Sequence, residues 1–208
     1  MRVAGSVRSA GSVRIKKLVV AGVAGLALAL VLAGCTSNDA LTGKVKDNYS
    51  SADGTITTIS AKDRGKPITF TGTSDAGETI SSKDYLGQVV VVNFWYAGCA
   101  PCRAEAPMLE KAYQALHVDN VAFVGVNTID QPDTSRAFAV SHDVTYPSVV
   151  DANSGSVRLA FAGKLAPSAT PTTMVLDTKG RIAARVLSQL DSPAILEQLV
   201  NDVLAEGK

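Results

Sequence analysis

VVVVNFWYAGCAPCRAEAP, residues 89–107, joins an apolar run to two cysteines and then to residues that favour a helix. Its four consecutive valines are typical of a strand buried on both faces, as in the centre of a sheet with parallel neighbours. Cys99 is expected at or just before the helix N-terminus, with Pro101 in the first turn and Pro107 as an interior kink. The stretch predicts a strand, a turn and a helix, with a cysteine pair where the helix begins.

A cysteine in this position has a predictable chemistry. The positive end of the helix dipole and the free backbone N–H groups of the first turn favour a thiolate over a thiol. The thiolate is the species that attacks in disulfide exchange. We therefore expect Cys99 to be an exposed nucleophile and Cys102 to be its shielded partner.

The motif Phe-Trp-x3-Cys-x-Pro-Cys-x2-Glu-x-Pro, which starts at Phe94, resembles the thioredoxin superfamily. Within that superfamily it is most similar to the TlpA/ResA-like thiol–disulfide oxidoreductases of the bacterial cell exterior. The resemblance extends from about Pro67 to the C-terminus, through residues 121–130 and through Thr170 and Pro171. Two departures are Gly98, where many relatives have Trp, and Asn93, where thioredoxin has an acid. The second departure suggests that no buried carboxylate relays protons to Cys102.

The resemblance implies an α/β thioredoxin fold, a central mixed sheet flanked by helices, with an N-terminal hairpin extension. It also implies a redox-active disulfide between Cys99 and Cys102 and no cofactor. In this fold a loop with a cis proline lies beside the disulfide, so we expect a cis Thr170–Pro171 bond and a loop that faces the Cys99 sulfur. Thr170 would then offer free backbone groups to an extended client segment.

Two further residues of the motif are candidates for supporting roles. Trp95 lies late enough on its strand to approach the disulfide, whereas one residue of the Phe94–Trp95 pair is expected in the core. Glu105 comes one turn after Cys102 and, as a charged helix former, could equally lie on a solvated helix face. Its match to a glutamate that influences cysteine protonation in the relatives makes it a candidate for the site.

The N-terminus has the pattern of an export signal. A basic opening that ends at Lys17 precedes an apolar run over residues 18–33, which is short for a membrane span. The run ends in Leu-Ala-Gly-Cys35, which resembles a bacterial lipobox, so Cys35 is expected to carry lipid; an uncleaved membrane anchor is the alternative. The predicted organisation is a signal peptide over 1–34, a lipidated cysteine and flexible linker over 35–66, and a thioredoxin-like domain over 67–208.

Charge and cysteine count restrict the function. The chain has 20 basic and 19 acidic residues, and removal of five basic residues with the signal leaves a net charge near −4. Nucleic-acid binding relies on basic patches, so it is not expected. Three cysteines without Cys35 leave one pair, which is not a disulfide framework.

The remaining segments predict a single domain. Strands are expected at 55–59, 67–71, 78–80, 121–126, 146–150, 172–176 and 182–187. Helices are expected after Asp133 or Thr134 and after Ser192, and a short one is expected to be capped by Ser81 or Ser82 and ended by Gly87. The 121–126 strand should pair in parallel with the valine strand, and 172–176 with 182–187 as an antiparallel hairpin.

Other readings of the cysteine pair are weaker. A zinc site needs about four ligands, and neither His117 nor His142 has a partner at metal-ligand spacing, so no metal is expected. Copper-delivery relatives have three residues between their cysteines, whereas this chain has two. Peroxiredoxins share the fold but have Thr where this chain has Tyr96. A non-catalytic, lipid-anchored binding module with a cysteine clip is the third alternative, although a thiol pair at a helix terminus is poorly placed to be inert.

The sequence thus predicts a lipid-anchored extracytoplasmic thiol–disulfide oxidoreductase whose substrates are cysteines of other proteins. The resemblance implies a reductant that receives electrons from a membrane thiol-transporting reductase. It further implies a role in cytochrome c maturation, with apocytochrome c as a client.

Overall fold

A mixed seven-stranded sheet organises the computed structural model, which describes residues 48–164 and 169–207 of the chain. The strands are β1 (Tyr49–Ser50), β2 (Ile56–Thr58), β3 (Thr71–Thr73), β4 (Thr79–Ser81), β5 (Val89–Trp95), β6 (Val121–Asn127), β7 (Ser148–Val150), β8 (Thr172–Leu176) and β9 (Ile182–Val186). The helices are α1 (Ala100–Leu116), α2 (Pro132–Ser141), α3 (Ser156–Ala160) and α4 (Pro193–Ala205), with 3₁₀ turns at Ser82–Tyr85 and His117–Asp119.

The valine-rich strand β5 is an interior strand of the large sheet, whose order is β1-β2-β9-β8-β5-β6-β7. All seven of its residues are buried. It pairs in parallel with β6 and antiparallel with β8, so the prediction of a parallel neighbour is confirmed on one side only. The predicted β8–β9 hairpin and the edge strand β7 are also present.

Alternate residues of β5 point into two apolar layers. Val89 and Val91 pack with Leu109 of α1 and Leu196 of α4 on one face of the sheet. On the other face Val90, Val92 and Phe94 pack with side chains from the β3–β4 hairpin and α3. The alternation of a strand explains why this uniformly apolar run fills both layers.

The main sheet begins earlier than the sequence predicts. Strand β2 confirms the strand expected at 55–59, although it lies within residues 35–66, which were assigned to the flexible linker. Strand β1 was not expected, and Ile56 of β2 pairs with Val186 of β9. The Arg64 side chain is buried and forms ion pairs with Asp177 and Glu206. The linker assignment is therefore wrong for residues 48–66, because strand pairing and a buried ion-pair cluster attach this segment to the domain.

Smaller differences concern element ends. Helix α2 starts after Gln131 with Pro132 in its first turn, so neither Asp133 nor Thr134 is its cap. The first strand of the small hairpin lies at Thr71–Thr73 instead of 67–71. Ser81 and Ser192 cap the elements that follow them, as expected.

Candidate active site

The cysteine pair lies where β5 ends and α1 begins. Cys99 is the N-cap residue of α1, and its Sγ accepts a hydrogen bond from the Cys102 N–H at 3.2 Å. Cys99 and Cys102 form a disulfide with a Cα–Cα distance of 5.2 Å. Pro101 lies in the first turn, where its missing N–H leaves no helical bond unmade. The predicted strand–turn–helix unit is confirmed, and both sulfur atoms meet the helix N-terminus.

The disulfide is shielded from solvent. Cys99 and Cys102 are each only 2% exposed, so the expectation of an exposed Cys99 is wrong for this oxidised form. Trp95 and Phe138 pack around both cysteines, with Tyr96 and Ala97 at the margin of the cluster. A client must therefore displace part of this cover, or approach along the exposed backbone at Gly98 and Ala100.

Trp95 lies in the same packed cluster as the two cysteines, as the sequence predicts. Its ring centroid is 4.2 Å from that of Phe138, which in turn stacks on His142 at 4.1 Å. Phe94 points to the other side of the sheet and meets Phe161. Sequence reasoning did not identify Phe138 as part of the site, because its contact with Trp95 depends on how α2 packs.

A loop after β6 supports the segment that leads to Cys99. Asp130 Oδ2 accepts hydrogen bonds from the Ala97 N–H at 2.6 Å and from Asn127 Nδ2 at 3.0 Å. The Thr128 N–H donates to the Trp95 carbonyl at 3.0 Å. Sequence reasoning missed these residues, although the Asn-x-x-Asp pattern after a strand parallel to β5 is a usable signal for such a turn.

Glu105 is fully buried on α1. Its Oε1 accepts a hydrogen bond from Asn93 Nδ2 at 2.8 Å, and its Oε2 accepts one from the Leu190 N–H at 3.0 Å. Burial raises the pKa of Glu105 to about 7, although these two hydrogen bonds act in the opposite direction. The solvated-face alternative for Glu105 is therefore excluded, and its carboxyl group titrates near neutral pH.

The burial of Glu105 also corrects the expectation drawn from Asn93. An amide at position 93 does not leave the site without a buried carboxylate, because Asn93 itself holds Glu105 and also donates to Thr173 Oγ1 at 3.0 Å. A cavity of about 10 Å³ adjoins Asn93 and Cys102. That volume corresponds to about one water molecule.

The Thr170–Pro171 peptide bond is cis, as expected. Thr172 pairs with Phe94 in the β5–β8 ladder, so the register places Pro171 beyond the end of that ladder on the side where β5 leads to the cysteines. Pro171 is buried, and Thr170 is half-buried. That this loop faces the Cys99 sulfur stays a prediction.

The predicted signal peptide and Cys35 lie outside the described residues. Within 48–164 and 169–207, no helix is both long and apolar enough to cross a bilayer. In the same ranges, no three His, Cys, Asp or Glu side chains are grouped so that they could hold a metal ion.

A mixed sheet with a disulfide at the start of the helix after its central strand defines a thioredoxin-like protein of the Cys-x-x-Cys type. The family model described as the AhpC/TSA family matches residues 65–185, which is more than half of the chain, and the protein belongs to this family.

Relatives and solved structures agree with that class. The chain is 36% identical over 110 residues to the thioredoxin-like protein YneN of Bacillus subtilis, covering 51% of this chain and 61% of YneN. It is 27% identical over 116 residues to the thiol-disulfide oxidoreductase ResA of Geobacillus thermodenitrificans, covering 56% and 64%. The chain thus spans less than two thirds of the length of these relatives. A secreted thiol-disulfide isomerase from Corynebacterium glutamicum has a similar structure, with a TM-score of 0.64, 29% identity and coverage of 76% of this chain and 97% of that one.

Proposed function

We propose that this protein is a thiol–disulfide oxidoreductase that exchanges disulfides with cysteines of other proteins through Cys99 and Cys102. The observation that carries the proposal is the Cys99–Cys102 disulfide at the N-terminus of α1. A helix N-terminus stabilises the thiolate that is released when such a disulfide is reduced. The similarity to a thiol-disulfide oxidoreductase, ResA, and to a secreted thiol-disulfide isomerase supports the same chemistry.

In the reducing direction, the Cys99 thiolate attacks one sulfur of a client disulfide, and the other client sulfur leaves as a thiolate that takes a proton. Cys102 then loses its proton and attacks Cys99 in the mixed disulfide. The second client thiolate leaves, so two electrons pass to the client and the Cys99–Cys102 disulfide forms. The reverse sequence oxidises a client dithiol.

Glu105 is proposed as the group that exchanges a proton with Cys102. A carboxyl group with a pKa of about 7 can hold or release a proton at neutral pH. Asn93 contacts Glu105 directly and shares the small cavity with Cys102. This connection supports a path for the proton that Cys102 must lose before it attacks.

The cellular role is proposed from the resemblance and from the N-terminal pattern. The protein is a reductant outside the cytoplasm, anchored by lipid on Cys35 and supplied with electrons by a membrane thiol-transporting reductase. Its clients include apocytochrome c, whose cysteines must be reduced before haem attachment. Mass spectrometry of membrane-extracted protein tests the lipid; an unmodified Cys35 thiol in the mature protein contradicts the anchor.

The AhpC/TSA description raises a peroxidase as a second candidate. Tyr96 stands where peroxiredoxins have a Thr, and the described segments contain no cysteine besides the Cys99–Cys102 pair. Hydrogen peroxide consumption by the reduced protein distinguishes the two activities. Peroxide turnover that outpaces reduction of a protein disulfide contradicts the proposed function.

Trapping of mixed disulfides tests the proposed function and the roles of the cysteines. In a Cys35→Ser background, Cys102→Ser is expected to accumulate mixed disulfides with client proteins, because the resolving thiol is gone. The matched variant Cys99→Ser is expected to accumulate at least about tenfold fewer, because the activated thiol is gone. Equal trapping contradicts the assignment, and no trapping with either variant supports a non-catalytic binding module.

A further inference from the structure

A second pocket lies on the sheet face that carries Phe94, away from α1 and α4. Its volume is about 270 Å³. Its lining residues come from β2 and Ile59 after it, from β8 and β9, from residues 65–68 and from residues 163–164. For comparison, an engineered apolar cavity of about 150 Å³ binds benzene. This pocket therefore has room for a small organic molecule.

The strand register explains the floor of the pocket. Thr57 of β2 pairs with Arg185 of β9, and Arg185 pairs with Met174 of β8. Directly paired residues point to the same face of a sheet, so these three side chains form one row. The floor is completed by the partly or fully buried side chains of Ile59, Ile68 and Ile182.

Three basic residues line this otherwise apolar pocket: Lys66, Lys164 and Arg185. Lys66 and Lys164 are exposed and lie at the rim, whereas Arg185 is half-buried on the floor. Within the described segments none of the three forms an ion pair, unlike Arg64, Arg136, Arg158 and Arg181. The described lining of the pocket thus carries a net positive charge and includes no carboxylate.

Arg185 has hydrogen-bond donors that the described residues do not use. One terminal nitrogen donates to the Lys164 carbonyl at 3.2 Å. Its Nε is buried and has no hydrogen-bond partner among the described residues. A buried donor without a partner is costly, and a guanidinium has five donors in a planar arrangement that fits a carboxylate. The Nε atom has almost no exposed surface, so a ligand in the pocket pairs with the terminal guanidinium nitrogens of Arg185.

We propose that this pocket is a binding site for a small monocarboxylate with an apolar body, whose carboxylate pairs with Arg185 and whose apolar part covers Met174 and Ile182. A carboxylate fits better than a phosphate, because an apolar floor penalises a dianion more than a monoanion. The two rim lysines add long-range attraction for the anion.

The site is independent of the disulfide chemistry proposed above. None of its lining residues belongs to the cluster around Cys99 and Cys102. However, β8 carries Met174 of the pocket and follows directly on Pro171. A ligand that contacts Met174 therefore touches the strand that follows the cis-proline loop.

Titration with 3-phenylpropionate tests the site in the full ¹⁵N-labelled chain. Amide resonances of Gly65, Gly163 and Ile182 are expected to shift saturably, with a dissociation constant of about 1–5 mM for a ligand of this size. The uncharged analogue 3-phenylpropanol and the short anion acetate are each expected to bind at least about tenfold more weakly, equivalent to ~1.4 kcal/mol. Equal affinity for the alcohol overturns the role of the cation, and equal affinity for acetate overturns the role of the apolar floor.

Variants identify the cation. Arg185→Met is expected to lower the affinity for 3-phenylpropionate at least tenfold, and Arg185→Lys is expected to lower it less. The matched control is Lys111→Met on the exposed surface of α1, which should bind 3-phenylpropionate with the affinity of the parent protein. If Arg185→Met does not fold, the exposed double variant Lys66→Met/Lys164→Met provides the test with an expected severalfold loss. Unchanged affinity in the folded variants, or resonance shifts confined to the disulfide region, overturns the proposal.

Discussion

Two buried carboxylates of this molecule, Glu105 and Asp177, differ in their partners and therefore in their chemistry. Asp177 follows β8 and accepts hydrogen bonds from Arg64 at 3.1 Å and from Arg181 Nε at 2.8 Å, together with two backbone N–H groups. Among the described residues, Glu105 accepts hydrogen bonds only from the Asn93 amide and the Leu190 backbone N–H, both neutral. Burial acts on both residues in the same direction, so the partners decide the outcome.

The consequence is opposite pKa shifts. Burial alone would raise the pKa of Asp177, but the hydrogen bonds from Arg181, Arg64 and Lys179 outweigh it and leave that pKa below its ordinary value. At Glu105 burial dominates and raises the pKa to about 7. A buried carboxylate with cations is a permanent charge that fixes structure, whereas one with neutral partners can exchange a proton at physiological pH.

The largest expected effect is a loss of stability when the Arg64–Asp177 ion pair is broken. Arg64→Met removes the cation that joins Asp177 to Glu206, and the free energy of unfolding is expected to fall by about 3 kcal/mol, because Asp177 keeps Arg181 but loses one of its two cationic partners. Denaturant unfolding at pH 7 measures the loss. The control is Arg136→Met, which breaks the exposed Arg136–Asp133 pair and should cost less than about 1 kcal/mol. Similar losses in the two variants would show that the buried cluster is no more important than a surface pair.

The next expected effect is on the pH dependence of the free energy of unfolding, to which the two carboxylates contribute with opposite signs. The folded-state pKa of Glu105 is raised from 4.5 to about 7, so the native state holds this proton more tightly than the unfolded state. That contribution to stability is present at low pH and is lost as pH rises from about 4.5 to 7. Between pH 5 and pH 8 we expect Glu105 to lower the free energy of unfolding by about 2 kcal/mol.

Glu105→Gln should remove this dependence, whereas Glu78→Gln at an exposed position should keep it. Asp177 acts with the opposite sign, because its pKa is lowered: its contribution is present above its ordinary pKa and is lost on acidification below about pH 4. Urea unfolding at pH 3, 5, 7 and 8 measures the free energy of unfolding in both pH ranges. A wild-type protein that gains stability between pH 5 and pH 8 relative to Glu105→Gln contradicts the raised pKa.

A smaller effect tests whether the neutral partners tune Glu105. Asn93→Leu removes the donor to Oε1, and the pKa of Glu105 should rise by about one unit, because this hydrogen bond favours the charged form. Carboxyl ¹³C NMR titration measures it. Asn153→Leu, which changes an exposed asparagine in the turn after β7, is the control and should leave the titration unchanged. A lower pKa in Asn93→Leu is the contrary result.

The comparison also explains what the sequence could predict. The valine strand, the cysteine pair at the helix start and the β8–β9 hairpin follow from local patterns, and all three are confirmed. The fate of Glu105 does not follow from its helix position alone, because the Leu190 N–H that binds it lies 85 residues away. Similarly, the Arg64–Asp177 pair joins residues 113 apart in the chain.

The early strands and the cover of the disulfide also depend on contacts between distant segments. Apart from the strand expected at 55–59, residues 48–66 are polar enough to resemble a linker, and pairing with β9 and the buried partners of Arg64 attach them to the domain. Cys99 is shielded because α2 brings Phe138 against Trp95. Interactions between distant segments, which no local pattern encodes, account for each of these differences.

The smallest expected effect asks whether the two carboxylates differ in their response to the redox state. The disulfide carries no charge, whereas a thiolate formed after reduction lies in the region that Asn93 connects to Glu105. If ionised Glu105 disfavours that thiolate, the thiolate must disfavour ionised Glu105 by the same free energy. The pKa of Glu105 should therefore be higher in the reduced protein by a fraction of a unit, and the pKa of Asp177 should not change.

Carboxyl ¹³C NMR of both redox forms measures these pKa values. Trp95 fluorescence is an independent report of the redox state, because Trp95 packs in the same cluster as both cysteines and its emission should change on reduction. An equal shift at Asp177 would point to a global change of structure, and an unchanged Glu105 with a changed Trp95 spectrum would remove Glu105 from the proton path while leaving the disulfide chemistry intact.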